Sequence, residues 1–381
     1  MTTALIPPFR ADVVGSYLRP DYLQQARRQF AAGEISQAEL TAVEDKAITE
    51  LVEQQKAAGL QVITDGEFRR SWWHLDFMWG LNGVEKSSIE QGYTFNGIQT
   101  RPESCQLTGK ISGENHPFIE HFKFIAKLAG EGFVPRLTIP APAQFLRELQ
   151  RPVNLEQTQR IYPELSELIA DIAKAYKTVI QEVYAAGCRN LQLDDCTWGI
   201  LTDPNIGAHT TGCGCGSDHQ AYKTELDGLL NTLLEVNNAA FENAPKDLVL
   251  ATHVCRGNYR STWSASGGYA PVADTLFAKE NVDAFYLEYD TDRAGDFAPL
   301  AKLAAGKKVV LGLITSKSAE LETVDEVVAR IHEAAQYVPL ENLYLSTQCG
   351  FASTEEGNSL TAEEQWAKIA LVKQVADKVW G

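Results

Sequence analysis

Four side chains have the types and spacing that metal chemistry needs. His253 and Cys255 stand one residue apart in "ATHVCRGNY" (251–259), Glu288 lies in "YLEYD" and Cys349 in "STQCGFAS". One imidazole, two thiolates and a carboxylate are a donor set that Zn2+ accepts in tetrahedral geometry. A free thiol, with a pKa of about 8.5, is mostly protonated at neutral pH and poorly nucleophilic. Coordination to zinc deprotonates it outright. The gaps between these residues are far too long for a zinc finger but suit successive strand ends. A His-x-Cys by itself is more often packing, since cysteine is among the most buried residue types. Three strands that each end in ligand-type residues turn the reading toward a metal.

A second polar set recurs at strand ends: Gly15-Ser16 in "VGSY", Asp65-Gly66-Glu67 in "TDGEFRR" and Asp194-Asp195 in "LQLDDCTW". Charged groups at that depth need partners or a metal. Glu67 and Asp194 are acceptors suited to an ammonium group, and Ser16 with its backbone N–H suits a carboxylate. Together they would hold an amino acid. The competing readings are a surface ion pair of Glu67 with Arg69 or Arg70, worth little, and a cation site or helix cap at Asp194-Asp195.

The elements that must position these residues alternate along the chain. Apolar, β-branched runs fall at 11–17, 60–67, 135–142, 189–196, 248–255, 282–290, 308–316 and 342–350. Helical patterns lie between them, among them 37–59, 165–187 and 323–338, the first two ending in Gly, a common helix stop. Strand and helix repeated about eight times predict an α/β fold, a closed (β/α)8 TIM barrel, with the site at the C-terminal ends of the strands. No Gly-rich dinucleotide fingerprint follows the first strand. The expectation is one domain over 1–381 with two insertions. Residues 68–134 hold Trp72, Trp73, Trp79 and a hairpin around "CQLTGKI". Residues 199–219 form a Gly-rich loop fit for a lid. Within that loop Cys213-x-Cys215, with His209 and His219, makes a weaker candidate for a second metal site. Cys105 and Cys188 read as core.

Of the 381 residues 44% are hydrophobic and 22% charged, an ordinary globular composition with enough chain for a large core. The net charge of −16, with no basic run, disfavours nucleic acid as a partner. No apolar run reaches membrane-spanning length, and "MTTALIPPFRADVV" has neither the basic nor the apolar region of a signal peptide. Seven irregularly spaced cysteines fit a reducing compartment, so a cytoplasmic location is expected.

The motifs together resemble the cobalamin-independent methionine synthase family. "ATHVCRGNY", "YLEYD" and "STQCGFAS" look like its zinc-binding segments, "VGSY" like its first-strand Gly-Ser, "TDGEFRR" like its Asp/His-Gly-Glu segment, and "LQLDDCTW" like its strand ending in Asp-Glu-Pro. The resemblance runs from residue 13 to 351 in the family's order and covers the catalytic barrel; the long members carry a second, N-terminal barrel. It implies that His253, Cys255, Glu288 and Cys349 hold zinc as the catalytic centre. Gly15, Ser16, Glu67 and Asp194 would then hold the amino-acid part of homocysteine.

Three departures fall elsewhere. Where the long enzymes stack the pterin of the folate donor on an aromatic residue, this chain has Pro140 and Ala141. The family's His that helps protonate the leaving nitrogen falls near Thr315. Asp-Glu-Pro has become Asp194-Asp195-Cys196. The expected activity is therefore methyl transfer to homocysteine, giving methionine, from a donor other than methylfolate: a corrinoid such as methylcobalamin or a corrinoid protein, or a sulfonium or related S-methyl compound. An oligomer is compatible with the sequence. Two alternatives stand beside this: a thiol alkyltransferase of the epoxyalkane:coenzyme M type, whose sulfonate thiol has no ammonium for Glu67 and Asp194, and a non-catalytic thiol- or metal-binding barrel.

Overall fold

Hydrophobic runs such as "VLATHV" and "KVVLGLI" are buried along nearly their whole length, as strands covered on both faces must be. In the computed structural model, which describes residues 5–204 and 219–381, these runs make a parallel six-stranded sheet. Its order is Leu343–Thr347, Lys308–Ile314, Ala284–Glu288, Val249–Val254, Asn190–Asp194 and Leu137–Pro140. The circle closes through shorter contacts. Val134–Pro135, just ahead of the last of these strands, pairs parallel with Val62–Ile63. Ser16 bridges Gly66 and Ala11 bridges Leu345, so segment 11–16 fills the remaining place. The fold is a (β/α)8 barrel.

Two of the expected strands are therefore much reduced. Segment 11–17 makes only single bridges, and 60–67 contributes only Val62 and Ile63 to a ladder. Polar turns cut both short: Gly15, Gly66 and Glu67 all take positive φ. The helices follow their signals closely. Gln37–Ala57 and Leu165–Ala185 stop two residues before Gly59 and Gly187, each of which has positive φ. Ser36 with Glu39, Thr323 with Glu326 and Thr361 with Glu364 form capping boxes on three outer helices.

The barrel interior is not purely aliphatic. Arg136 and Asp12 are buried and 2.9 Å apart; Arg136 also meets Asn190 at 2.7 Å and the Tyr286 hydroxyl at 2.6 Å. This polar plug fills the space beneath the mouth. Insertion 68–134 carries helix Leu75–Gly80 and the antiparallel pair Asn82–Ser88 with Glu103–Ser112, which is the expected hairpin around Cys105. Between the two strands, Thr94–Phe95 and Ile98–Gln99 form a smaller tip. The Phe95 ring lies 5.6 Å from that of Tyr259, so this tip reaches the loop that follows Val249–Val254. Cys105 and Cys188 are fully buried. Most of the 199–219 loop, with Cys213, Cys215 and His209, lies outside the described residues, and no described helix is long and apolar enough to cross a membrane.

Candidate metal centre and substrate cavity

Strand alternation aims the ligand-type residues at one point. His253 is the fifth of six residues in its strand, Cys255 follows the strand's end, Glu288 is the last residue of the next strand, and Cys349 lies two residues beyond Thr347. One donor atom from each lies within 4.8 Å of all the others, and all four residues are buried. The two sulfurs are 3.8 Å apart. A tetrahedral site with Zn–S bonds of about 2.3 Å has an S–S edge of about 3.8 Å, so the spacing fits zinc without rearrangement. Both ring nitrogens of His253 are buried with no hydrogen-bond partner, a costly state for an imidazole that serves only packing.

The surrounding groups fit a cation as well. Hydrogen bonding to Cys196 and then burial push the Cys255 thiol well up, and Cys255 together with burial does the same to Cys349. Without a positive charge among them these thiols stay protonated. Burial works against ionisation of Glu288, but Arg293, Lys317 and Arg256 outweigh it and hold the carboxyl below the usual range. Gln348 donates to its Oε1 at 3.1 Å and the Arg256 N–H to its Oε2 at 3.2 Å. Such outer contacts orient a ligating carboxylate.

Beside this cluster opens a cavity of about 280 Å3, lined by His253, Cys255 and Cys349 and also by Ser16, Glu67 and Asp194. Glu67 is held at φ 61, in the left-handed region that non-glycine residues avoid, and this turns its side chain inward. Its Oε1 accepts from Thr138 at 2.8 Å and pairs with Arg70 at 3.3 Å, whereas Oε2 is buried with no partner. The pair with Arg70 is thus buried, not the surface bridge considered from sequence; Arg69 turns instead to Glu44 and Asp45. Burial, outweighing Arg70 for Glu67 and Gln192 for Asp194, pushes each carboxyl up to about 7. Two acids raised together, one with an orphaned oxygen, make a site that gains from a cationic ligand.

The other strand-end residues divide their roles. Asp195 caps helix Cys196–Leu201, accepting from the Thr197 N–H at 3.0 Å, so the cap reading holds for it while Asp194 faces the cavity. Ser16 Oγ accepts from the Ala352 N–H at 3.3 Å, and a Cβ on Gly350 would fall 1.9 Å from that oxygen, so residue 350 must be glycine. Gly15 does not line the cavity; it packs against Thr138, which a side chain at 15 would strike at 2.9 Å.

Sequence reasoning missed several lining residues. Cys196 is a third thiol beside Cys255, visible in the sequence only as the departure from Asp-Glu-Pro. Tyr93, Phe95, Gln144 and Arg147 also line the cavity, and no local motif marks them. Trp72 and Trp73 line it too, as a wall; Trp72 is fixed by donating to Glu103 at 2.5 Å.

Comparison with known proteins follows the same geometry. The model of the cobalamin-independent synthase catalytic domain matches residues 9–94 and 158–377. YxjG of Bacillus subtilis (strain 168) is 43% identical over 377 residues, covering 98% of this chain and 95% of its own. A methionine synthase of Saccharolobus solfataricus is 22% identical over 345 residues, 91% of this chain and 89% of its own. The 2-hydroxypropyl-CoM lyase of Xanthobacter autotrophicus is 23% identical over 368 residues, with coverages of 89% and 88%. Among solved structures, a Listeria monocytogenes protein assigned to the vitamin-B12 independent methionine synthases matches with a TM-score of 0.73, 37% identity and coverages of 99% and 100%. A B12-independent methionine synthase of a Shewanella species, solved with selenomethionine, shares the fold at a TM-score of 0.71 and 20% identity, with coverages of 97% and 97%.

Proposed function

We propose that this chain, which belongs to the cobalamin-independent methionine synthase family, is a zinc-dependent methyltransferase that methylates homocysteine to methionine. One observation carries the reading: the ligand cluster of His253, Cys255, Glu288 and Cys349 borders the same cavity as the raised, partner-poor carboxylates Glu67 and Asp194. His253, Cys255, Glu288 and Cys349 would hold the zinc, which supplies the positive charge that keeps a substrate sulfur as thiolate at neutral pH. Glu67 and Asp194 bind the ammonium of the amino acid and ionise as it enters. Ser16 receives the carboxylate. These contacts orient the sulfur toward the four ligand residues, and the donor enters from the aromatic side of the cavity.

Among the described residues, the further carboxylate that lines that side, Glu148, is engaged by Arg151, Tyr93 and Ser104, which leaves no free acid for a pterin nitrogen. Thr315 has no titratable group, and His74, which lines the cavity, is held neutral by burial, its pKa lowered to about 3. Glu67 and Asp194 are committed to the ammonium. General acid catalysis is typically worth about 10²–10⁴ in rate, so a donor whose leaving group needs no proton is favoured over methylfolate.

The relationship to a 2-hydroxypropyl-CoM lyase raises a sulfonate thiol as an alternative acceptor. A sulfonate thiol brings no ammonium to Glu67 and Asp194, which would remain buried and unmatched. The test is direct: the zinc-loaded protein receives homocysteine or coenzyme M together with a donor panel of methylfolates, methylcobalamin and S-methyl compounds. Methionine formation is expected, with coenzyme M unreacted. Methylation or alkylation of coenzyme M in preference to homocysteine would overturn the assignment.

A further inference from the structure

Arg147 and Gln144 sit three residues apart on helix Pro142–Leu149, which begins directly after the barrel strand Leu137–Pro140, and both line the cavity. Their neighbour Arg151 is satisfied: it pairs with Glu148 at 2.9 Å and lies over the Tyr93 ring at 4.3 Å. Glu148 also accepts from the Tyr93 hydroxyl at 2.8 Å and from Ser104 at 2.6 Å, which fixes Tyr93 at the mouth. Arg147 has no such arrangement. Among the described residues no carboxylate, carbonyl or ring partners its guanidinium, Glu148 being turned to Arg151, and burial lowers its pKa with no opposing cause. The side-chain oxygen position of Gln144 is buried and likewise without a partner; that amide can present either its oxygen or its NH2 there. A half-buried guanidinium and an orphaned amide facing one cavity suit an anionic ligand, since a planar guanidinium pairs best with a carboxylate. Neither residue is used by the homocysteine half of the site, and both fall in the stretch 95–157 that the family model does not match.

The wall beside them is aromatic: Trp72, Trp73, Tyr93, Phe95 and Tyr259 line the same cavity. Aromatic faces attract onium cations, which carry charge but no proton to donate. We infer that the methyl donor is a sulfonium carboxylate, its carboxylate held by Arg147 with Gln144 and its methylsulfonium centre held against the aromatic wall. This rests on the proposed methyl transfer to homocysteine. The step balances without an acid: the homocysteine sulfur, its proton already lost to solvent, forms a bond to the methyl carbon as the carbon–sulfonium bond breaks. The bonding pair stays on the leaving sulfur, which becomes an uncharged thioether sulfur on a product that keeps its carboxylate.

The experiment reads binding apart from turnover. The full chain, with zinc and after chelation, is titrated by calorimetry and tryptophan fluorescence with three probes. Dimethylsulfoniopropionate has both features, trimethylsulfonium only the cation, and 3-(methylthio)propionate only the carboxylate. Wild-type protein is expected to bind dimethylsulfoniopropionate at least tenfold more tightly than either partial probe, in both metal states. Arg147→Gln removes its advantage over trimethylsulfonium, leaves trimethylsulfonium affinity unchanged and retains zinc. Arg147→Lys keeps part of the advantage. Equal binding of the full and cation-only probes by wild-type protein, a measurement that needs no variant, overturns the inference. So does turnover with methyltetrahydrofolate or methylcobalamin at rates above dimethylsulfoniopropionate. If the full probe binds as expected but no methionine forms with any donor, the proposed function fails while the subsite stands.

Discussion

Substituting Glu67 probes the ammonium pocket through its pH dependence. In the free protein the Glu67 carboxyl titrates at about 7 because it is buried and faces Asp194. A bound ammonium requires it ionised. At pH 6 about one-tenth of the molecules carry the charge and at pH 8 about nine-tenths, so methionine affinity should rise at least tenfold over that interval, about 1.4 kcal/mol. Methionine is the ligand of choice because its sulfur has no proton to lose at the metal, and its own ammonium stays protonated throughout. Calorimetry in two buffers of different ionisation enthalpy counts protons. About one or more should leave per methionine bound at pH 6 and almost none at pH 8, the pair titrating as a unit with Asp194. Glu67→Gln should make the profile shallower, leaving the Asp194 step, and weaken binding at pH 8 by about ten- to hundredfold, the worth of a charge-assisted contact in a dry site. The fold should survive, since Arg70 also donates to the Thr138 carbonyl at 2.6 Å. Affinity that is flat from pH 6 to 8 in the wild type, with no proton released at pH 6, would refute the assignment.

Further outcomes follow from other parts of the structure. Cys349→Ser should leave the dialysed protein with far less than the one zinc per chain expected of the wild type, by metal analysis; stoichiometric zinc in the variant would count against the site. Glu280, buried and bonded to Asn237 at 2.7 Å, is raised to about 8 by burial first and then by Asp195. Its folded pKa lies above the unfolded value, so its contribution is full below about pH 4.5 and lost as pH rises through 8. Glu280→Gln should therefore remove a decline on the order of 3–5 kcal/mol between those limits, read from urea midpoints; parallel curves for the two proteins would reject this. Asp12→Ala strands Arg136 in the barrel interior and should cost about 3–5 kcal/mol in chemical denaturation, where a loss under 1 kcal/mol would show the plug to be dispensable.

The sequence made the acceptor half legible because that half lies on barrel strands. A strand end fixes which residue faces the mouth, so His253, Cys255, Glu288 and Cys349 could be grouped from type and order alone, and the structure brings them within one ligand shell's span. Asp194 ends a strand in the same way, whereas Glu67 lies in a turn beyond Val62–Ile63 and is aimed by its positive φ. Nothing local distinguishes Arg70, which enters the site, from Arg69, which turns out to Glu44. The polar plug was hidden because Asp12 and Arg136 meet only when the barrel closes. The 11–17 and 60–67 runs carry strand-like composition, yet the turns that aim Ser16 and Glu67 inward interrupt their ladders.

The donor half was illegible for a different reason. It is assembled from insertion 68–134 and the helix after the third barrel strand, where side-chain direction follows loop and helix geometry instead of strand alternation. Pro140, Ala141 and Thr315 announced what that half lacks, but only the assembled cavity shows what occupies its place. Among the described residues the lining sets aromatic rings beside a guanidinium without a partner, and His74 is held neutral by burial. A donor that brings its own positive charge, and needs no proton to leave, meets all three conditions. On the proposed function, the strand ends would orient the acceptor sulfur, while insertion 68–134 and helix Pro142–Leu149 would select the methyl donor.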